Sequence, residues 1–325
     1  MRRPTLNLLG GAVILTASLL AGNAHAASCC GGGGSATLTL PKFSASMVGL
    51  SVDTETYHGF WDQQGKRRDD PPGSTLVQYR INAGYARRLT DHWQASVNLP
   101  YVLNDNRYSG VSSHTQGLGD TTVGIWREFF DNIMCVTSVE TLEDLLPALY
   151  VGGALTIPTG ISPYDDVTNS FDVTGRGFYR LDLNLLVEKT VYPWTVTLSG
   201  GYGVHFERPV NREYGVYVTP YTKKLGDRYN VAFGGGYTWF LGNGDMVTAT
   251  GTLSDVREFA GTIDGRNDPT SGLSSRRWSL ALGWNTPDRA WVAGASFSRS
   301  FRTDGWGANF PMTDIVSLRI SHVLD

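Results

Sequence analysis

The feature that most constrains the fold of this chain is a strict alternation of apolar and polar residues from Leu76 to Leu103. The apolar positions recur at every second residue on both sides of a short break at Arg87–His92: Val77, Tyr79, Ile81, Ala83, Tyr85, Trp93, Ala95, Val97, Leu99 and Tyr101. Side chains of a β-strand point alternately to its two faces, so this period predicts strands with one apolar and one polar face. The stretch is therefore predicted to form a hairpin of two such strands.

The length of these strands and the position of their aromatic residues favour a membrane-spanning hairpin over a strand pair from a soluble sandwich. A strand that crosses a bilayer needs about 9–11 residues and carries aromatic residues at both interfaces. Both predicted strands reach this length, and aromatic residues lie towards each end of their apolar faces: Tyr79, Tyr85, Trp93 and Tyr101. We interpret the stretch as a transmembrane hairpin.

The same alternation continues to the C-terminus and is clearest in Phe178–Thr190. Short turns such as Gly242–Asp245 alternate with long polar loops, of which Asn104–Gln116 is one, followed by a predicted strand at Gly117–Phe130. Outer-membrane barrels have an even number of antiparallel strands, short periplasmic turns and longer extracellular loops. We therefore predict an all-β fold, a transmembrane antiparallel β-barrel of about twelve strands over residues 47–325, with both termini periplasmic.

Composition excludes two other classes of protein. Of the 325 residues, 18% are charged and 41% are hydrophobic, and beyond the N-terminus no stretch approaches the length of about 20 apolar residues that a spanning helix needs. A helical membrane protein is therefore excluded. The formal net charge of −3 gives no reason to expect nucleic-acid binding.

Residues 1–26 have the three parts of a secretory signal peptide. Two arginines follow Met1, Leu8–Gly22 is an apolar core, and Ala24–Ala26 is a small-residue cleavage site. Export through such a signal is the route that a barrel of the bacterial outer membrane requires. We predict that the mature protein begins after this segment and resides in that membrane.

Residues 27–46 are predicted to form a flexible tether that is rich in cysteine and glycine. Cys29 and Cys30 precede Gly31–Gly34, and Cys135 is the third cysteine, so internal disulfides cannot pair all of them. Three interpretations stay open for the adjacent pair: lipidation at Cys29, a metal site, or thiols that link the tether to a partner. Two adjacent thiols supply too few ligands for a metal ion, so we expect no metal. A thiol-linked or periplasmic partner is the interpretation that we retain.

Three short motifs next to loops resemble those of a known family. Leu99-Pro100-Tyr101 ends one predicted strand, Gly117-Leu118-Gly119-Asp120 begins the next, and Pro158-Thr159-Gly160 ends another. In this order they resemble the outer-membrane barrel family labelled for the meta-pathway of phenol degradation, whose members are described as transporter-like. The resemblance covers residue 45 to the end and implies a channel-like barrel for small aromatic or other organic molecules. The C-terminal residue, Asp325, departs from the terminal aromatic residue common in bacterial barrels.

The polar faces of the strands would line the lumen, and they carry charged residues of both signs. Besides Asp53, Glu55 and Asp120, the candidates for a constriction are Arg80, Arg180, Asp182, Glu188, Arg228, Arg277 and Arg319. These charges could brace a narrow barrel by pairing with one another, or could select the solutes that pass. Arginines crowded on one wall opposite Asp182 and Glu188 would favour small polar or anionic solutes. Glycines on the same face, such as Gly201 and Gly283, indicate open space.

Aromatic residues in the long loops offer a different basis for selection, because they could form an entrance for aromatic solutes. They are Tyr164, Phe171, Tyr214, Tyr217 and Tyr221. The predicted function is an outer-membrane channel for small solutes, including organic and aromatic compounds. Its expected partners are outer-membrane lipid and a small-molecule solute, with no cofactor.

Two other functions remain as alternatives. One is a structural or partner-binding barrel whose lumen is plugged. The other is a barrel hydrolase, for which His58 and His205 near the extracellular strand ends are the candidate bases, although no serine or aspartate stands at a suggestive spacing from either. We predict that the protein is not an enzyme.

Overall fold

The computed structural model describes residues 39–41, 44–129 and 135–324, and their main feature is a closed antiparallel barrel. The barrel strands are β1 (Ser46–Trp61), β2 (Thr75–Arg88), β3 (Trp93–Tyr108), β4 (Thr121–Phe129), β5 (Ala148–Ile157), β6 (Arg180–Val191), β7 (Trp194–His205), β8 (Arg228–Phe240), β9 (Met246–Glu258), β10 (Leu273–Asn285), β11 (Trp291–Ser300) and β12 (Phe310–Leu324). The predicted twelve-stranded antiparallel barrel is confirmed.

The barrel closes where its first and last strands pair. β12 runs antiparallel to β1 from Ser46 opposite Leu324 to Trp61 opposite Phe310, with an irregularity between Tyr57 and Phe60. Every other barrel strand pairs with its neighbours in the sequence. Because the barrel is closed, every strand has a hydrogen-bonded neighbour on both sides. A sheet in a bilayer requires this, since hydrocarbon offers no hydrogen-bond partners to the backbone.

Alternation places the apolar positions outside and the polar positions inside. On β6 the outward Leu183 is 63% exposed, whereas the inward Leu186 is only 2% exposed. On the neighbouring strand β7, Tyr202 lies opposite Leu183 and also faces outwards. A belt of exposed apolar side chains thus surrounds the barrel, as a hydrocarbon environment favours.

The two ends of the barrel differ. At the turn end, β2 and β3, β6 and β7, β8 and β9, and β10 and β11 are joined by short connections, and the first residues of β1 lie beside the last residues of β12. At the loop end the connections are long, and they carry extra strands: Arg67–Arg68, Val111–Leu118, Arg208–Glu213, Val216–Lys224, Thr262–Ile263, Arg266–Asn267 and Gly307–Ala308. This asymmetry matches short periplasmic turns and longer extracellular loops.

Two local expectations were wrong in detail. Asn104–Gln116 is not a loop, because β3 continues to Tyr108 and the strand Val111–Leu118 pairs back onto it. β4 accordingly begins at Thr121, not at Gly117. Two of the polar side chains that suggested a loop, Asn104 and Asn106, face inwards, where they donate to backbone carbonyls of another chain segment.

The connection from β4 to β5 contains two short elements within its described part. Cys135–Val136 pairs parallel to β6, and Leu142–Leu145 forms a 3₁₀ turn. The Asp144 carboxylate accepts the Thr141 backbone N–H at 2.7 Å, so this turn is capped at its own start.

The predicted signal peptide, residues 1–26, and the pair Cys29 and Cys30 lie outside the described residues. Of the predicted tether, the structure describes only 39–41 and 44–46. Among residues 39–41, 44–129 and 135–324, no helix has the length and apolar character that crossing a bilayer requires.

Candidate functional site: the charged lumen

The first group of charges in the lumen, the Glu258 cluster, lies near the loop end and spans four strands and one loop. It comprises Arg176, Arg180, Asp182, His205, Arg228 and Glu258. Arg176 donates to both Glu258 oxygens at 2.5 and 2.8 Å. Arg180 Nε donates to both oxygens of Asp182 at 2.8 and 2.9 Å. These are charge-assisted, two-point pairs, the strongest class of side-chain hydrogen bond.

The loop residue of this cluster, Arg176, is anchored by its partner. Burial alone would lower the pKa of Arg176, but the hydrogen bonds and charge of Glu258 raise it above its ordinary value. The ion pair therefore joins the loop before β6 to the end of β9, on another part of the wall. The sequence analysis did not identify Arg176 or Glu258 as lumen residues, because Arg176 lies in a loop and Glu258 is the last residue of its strand.

The second group, the Glu55 cluster, lies on β1, β2 and β10. Arg80 donates to Glu55 through Nη2 and to Gln78 through Nε at 3.1 Å. Asn82 beside it donates to Asp53 at 2.9 Å. Arg277 interacts electrostatically with Glu55 but donates its hydrogen bond to the Thr313 hydroxyl at 2.5 Å.

The predicted arginines do not crowd one wall. Their strands are spread around the barrel: Arg80 on β2, Arg180 on β6, Arg228 on β8, Arg277 on β10 and Arg319 on β12. Asp182 lies on the same strand as Arg180 and accepts its hydrogen bond, so it is not on the opposite wall of the barrel. Glu188 lies three residues from the turn end of β6, apart from both clusters and only 1% exposed. A period of two assigns a residue to the inner face but cannot say where around the barrel its strand lies.

Three of these arginines have no carboxylate within ion-pair distance in the described chain, although Arg228 and Arg277 interact electrostatically with Glu258 and Glu55. Arg228, Arg277 and Arg319 form no ion pair with any carboxylate of residues 39–41, 44–129 and 135–324. By contrast, Arg80, Arg176 and Arg180 are each paired with one. An anion in the lumen would therefore pair with these three guanidinium groups without displacing a close ion pair.

The segment Pro158–Gly177, here called the inner loop, folds into the loop end of the barrel. Asp120 holds it at both ends, because its carboxylate accepts the N–H of Gly160 at 3.2 Å and that of Arg176 at 2.7 Å. Thr159 donates to the Gly119 carbonyl at 2.6 Å. Two of the motifs that carry the family resemblance therefore contact each other and position this loop.

A cavity of about 360 Å³ lies between the inner loop and β1–β3. Aromatic side chains supply much of its wall, and amides supply the polar part: Tyr57, Phe60, Tyr108, Phe171, Gln78 and Asn104. Tyr108 and Phe171 pack with ring centroids 4.9 Å apart. Apolar walls with a few polar groups are typical of sites for small organic molecules.

Among the five loop aromatics considered for an entrance, Phe171 lines this cavity. Tyr164 instead packs edge-on against Phe178, and burial raises its pKa to about 12. Tyr221 donates to Glu213, and Arg212 stacks on Tyr217, so these residues hold a loop hairpin together.

The turn half of the lumen is packed with side chains. Trp126, Ala148, Tyr150 and Leu186 form one buried apolar cluster on the inner faces of β4–β6. Leu40, from the segment before β1, is buried against Met47, Ala86 and Val323, and its N–H bonds to the Gln94 side chain at 2.6 Å. The predicted tether therefore reaches the inner wall of the barrel with at least its residues 39–41.

The lumen glycines make room for neighbouring side chains, which corrects the expectation of open space. A Cβ at Gly201 would lie 2.7 Å from the side-chain oxygens of both Asn184 and Asn230, and one at Gly294 would lie 2.6 Å from Arg319 Nε. Gly283 is the exception, because a Cβ there would meet nothing closer than 3.9 Å. Most of the space that these residues leave is thus occupied by polar side chains lying along the wall.

The two candidate bases of a hydrolase have structural partners. His58 lies 3.3 Å from Asp314, while His205 Nδ1 lies 2.8 Å from the Gly226 carbonyl. Neither contacts a serine or cysteine that could serve as a nucleophile in the described part of the chain. Within those same residues, no group of three or more His, Cys, Asp or Glu side chains is placed to hold a metal ion.

A closed barrel of twelve antiparallel strands, apolar outside and charged inside, defines the fold of an outer-membrane β-barrel. Comparison with solved structures agrees. An outer membrane channel from Pseudomonas putida F1 matches 88% of this chain over 97% of its own length, with a TM-score of 0.67 and 15% identity. The β-domain of the Bordetella autotransporter BrkA matches 86% of this chain over 100% of its length, with a TM-score of 0.51 and 11% identity.

At such identities the likeness concerns the fold alone. A scan against family models and a search of curated proteins found no match to the chain.

Proposed function

We propose that the protein is a channel of the bacterial outer membrane for small organic solutes and that its lumen favours anionic ones. The observation that carries the proposal is the set of three lumen arginines that, among the described residues, have no carboxylate within ion-pair distance: Arg228, Arg277 and Arg319. A guanidinium group that is not already paired attracts a passing carboxylate and binds it with fixed geometry.

The cavity beside the inner loop supports an organic solute in preference to a simple ion. Its aromatic walls would contact the apolar part of a solute, while the Tyr57 hydroxyl supplies a polar group on the same wall. Small aromatic carboxylates combine the two properties that the cavity and the arginines favour. The family resemblance, which implies aromatic or other organic solutes, is consistent with this class.

The proposed path runs from the loops to the turns. A solute enters the cavity from the extracellular side, passes the Glu55 and Glu258 clusters, and leaves through the periplasmic end. We propose no catalytic role for His58 and His205, since both hold structural contacts. In this orientation Ser46 and Leu324 lie at the periplasmic end of the barrel. A thiol-linked partner at Cys29 and Cys30 stays a prediction.

A plugged barrel that binds a partner is the second candidate, and packing at the turn end favours it. Trp126 and Tyr150 occupy the inner face on one side, and Leu40 occupies it on another. If these side chains block the passage permanently, the loops would be the functional surface.

Solute flux into liposomes separates the two candidates. The purified protein is reconstituted into liposomes, and swelling is recorded with benzoate and with benzylammonium, which are similar in size but opposite in charge. The proposal expects swelling with both and a higher rate with benzoate. Equal rates would contradict anion preference, and rates equal to those of protein-free liposomes would favour the plugged barrel.

A further inference from the structure

The outer wall of the barrel carries an array of arginines at the loop end of β9–β12, here called the outer arginine patch. Its members are Arg257, Arg276, Arg299 and Arg302, with Asp255 and Asp314 between them. Asp255 lies opposite Val231 and Arg276 in register, and Val231 is an exposed outward residue. Arg299 lies opposite Trp278 and Asp314. The patch therefore faces away from the lumen.

The patch lies at the level that a lipid headgroup would occupy. Along each strand the residues that follow towards the turn end are apolar: Trp278 after Arg276, Phe297 before Arg299, and Val316 after Asp314. Trp278 and Phe297 pack edge to face with centroids 5.4 Å apart. Aromatic side chains mark the interface of a membrane barrel, so charges one step closer to the loops lie among the headgroups of the outer leaflet.

The patch has more positive charge than its aspartates can neutralise. Arg257 and Arg276 share Asp255 at 3.2 and 3.6 Å, while Arg299 and Arg302 share Asp314 at 2.7 and 3.0 Å. Four arginines against two aspartates leave an excess of two positive charges. The guanidinium-bearing side chains are 32–43% exposed, so each keeps hydrogen-bond donors that face outwards.

Two of these arginines are held in place by aromatic rings. The Arg276 guanidinium lies 5.4 Å from the ring centre of Trp306, and that of Arg299 lies 5.3 Å from the ring centre of Phe297. Stacking reduces the conformational freedom that binding would otherwise cost. On another part of the barrel, the outward loop-end residue Asp105 pairs with His114 instead.

We infer that the outer arginine patch binds the phosphate groups of a phosphorylated glycolipid of the outer leaflet, such as lipid A. Arginine presents paired donors that match phosphate oxygens, and the apolar surface below the patch would contact the acyl chains. The inference rests on the proposed outer-membrane location, but it does not depend on the lumen conducting solutes.

Native mass spectrometry of the detergent-solubilised protein tests this inference. Bis-phosphorylated lipid A is titrated against the wild type, and dephosphorylated lipid A and inorganic phosphate are titrated in parallel. We expect the phosphorylated lipid to bind at least about tenfold more tightly than the dephosphorylated one, the size expected for charge-assisted hydrogen bonds. Equal binding of the two lipids would overturn the inference, as would binding of inorganic phosphate as tight as that of lipid A.

Variants locate the site. Arg276→Gln with Arg299→Gln should weaken binding of the phosphorylated lipid about tenfold, while Arg67→Gln with Arg266→Gln, two exposed loop arginines, should leave it unchanged. Heat-modifiable migration on a gel shows that each variant has folded, and Arg302→Gln replaces the double variant if that one does not fold. Unchanged binding by a folded patch variant would contradict the inference, whatever the variant conducts.

Discussion

At the scale of single residues, adjacent positions of one strand lie in different environments. Leu183 of β6 is 63% exposed on the outer face, and Asn184 beside it faces the lumen, where its side-chain oxygen lies near Gly201. Hydrocarbon surrounds the first side chain, and polar groups surround the second. A charged substitution should therefore destabilise the barrel at Leu183 and be tolerated at Asn184.

Leu183→Arg should destabilise the inserted barrel by about 2–4 kcal/mol, because it places a charge against lipid near the middle of the strand. Asn184→Arg is the matched control and should insert normally. Heat-modifiable migration and recovery from membranes measure the difference. Equal behaviour of the two variants would mean that the assignment of inner and outer faces is wrong.

At the scale of elements, one carboxylate positions the inner loop. Asp120, immediately before β4, accepts N–H groups from both Gly160 and Arg176, and the Arg176 side chain then reaches Glu258. The sequence indicated the two motifs involved but not their contact, which depends on how the chain packs between β5 and β6. The cavity beside this loop could not be predicted for the same reason.

Asp120→Asn should loosen the inner loop, since the amide keeps one acceptor oxygen and leaves one of the two N–H groups without its partner, at a cost of about 1–3 kcal/mol. Hydrogen exchange of the Gly160 and Arg176 amides is the measurement, and both should exchange faster than in the wild type. Asp268→Asn, in another loop, serves as the control. Unchanged protection of both amides in the Asp120 variant would show that other contacts hold the loop.

At the scale of the whole molecule, the barrel could be predicted because the alternation of apolar and polar residues is visible within each strand and recurs from strand to strand. Each strand, like Phe178–Thr190, shows its two faces by itself, and the even number of strands and the alternation of long and short connections follow from counting. The arrangement of the lumen could not be predicted in this way. Whether Arg80 meets Glu55 on the neighbouring strand depends on side-chain conformation and register, which a two-residue period does not encode.

The lumen is proposed to conduct small solutes and to prefer anions through arginines such as Arg228 and Arg277, which have no carboxylate within ion-pair distance in the described chain. The reversal potential of single channels in a planar bilayer, recorded across a salt gradient, tests this proposal most directly. The wild type should reverse on the anion-selective side, and Arg228→Gln with Arg277→Gln should shift the potential towards cation selectivity, whereas Arg107→Gln, outside the lumen, should not. A wild type that does not conduct, or a conducting double variant with an unchanged reversal potential, would contradict the account.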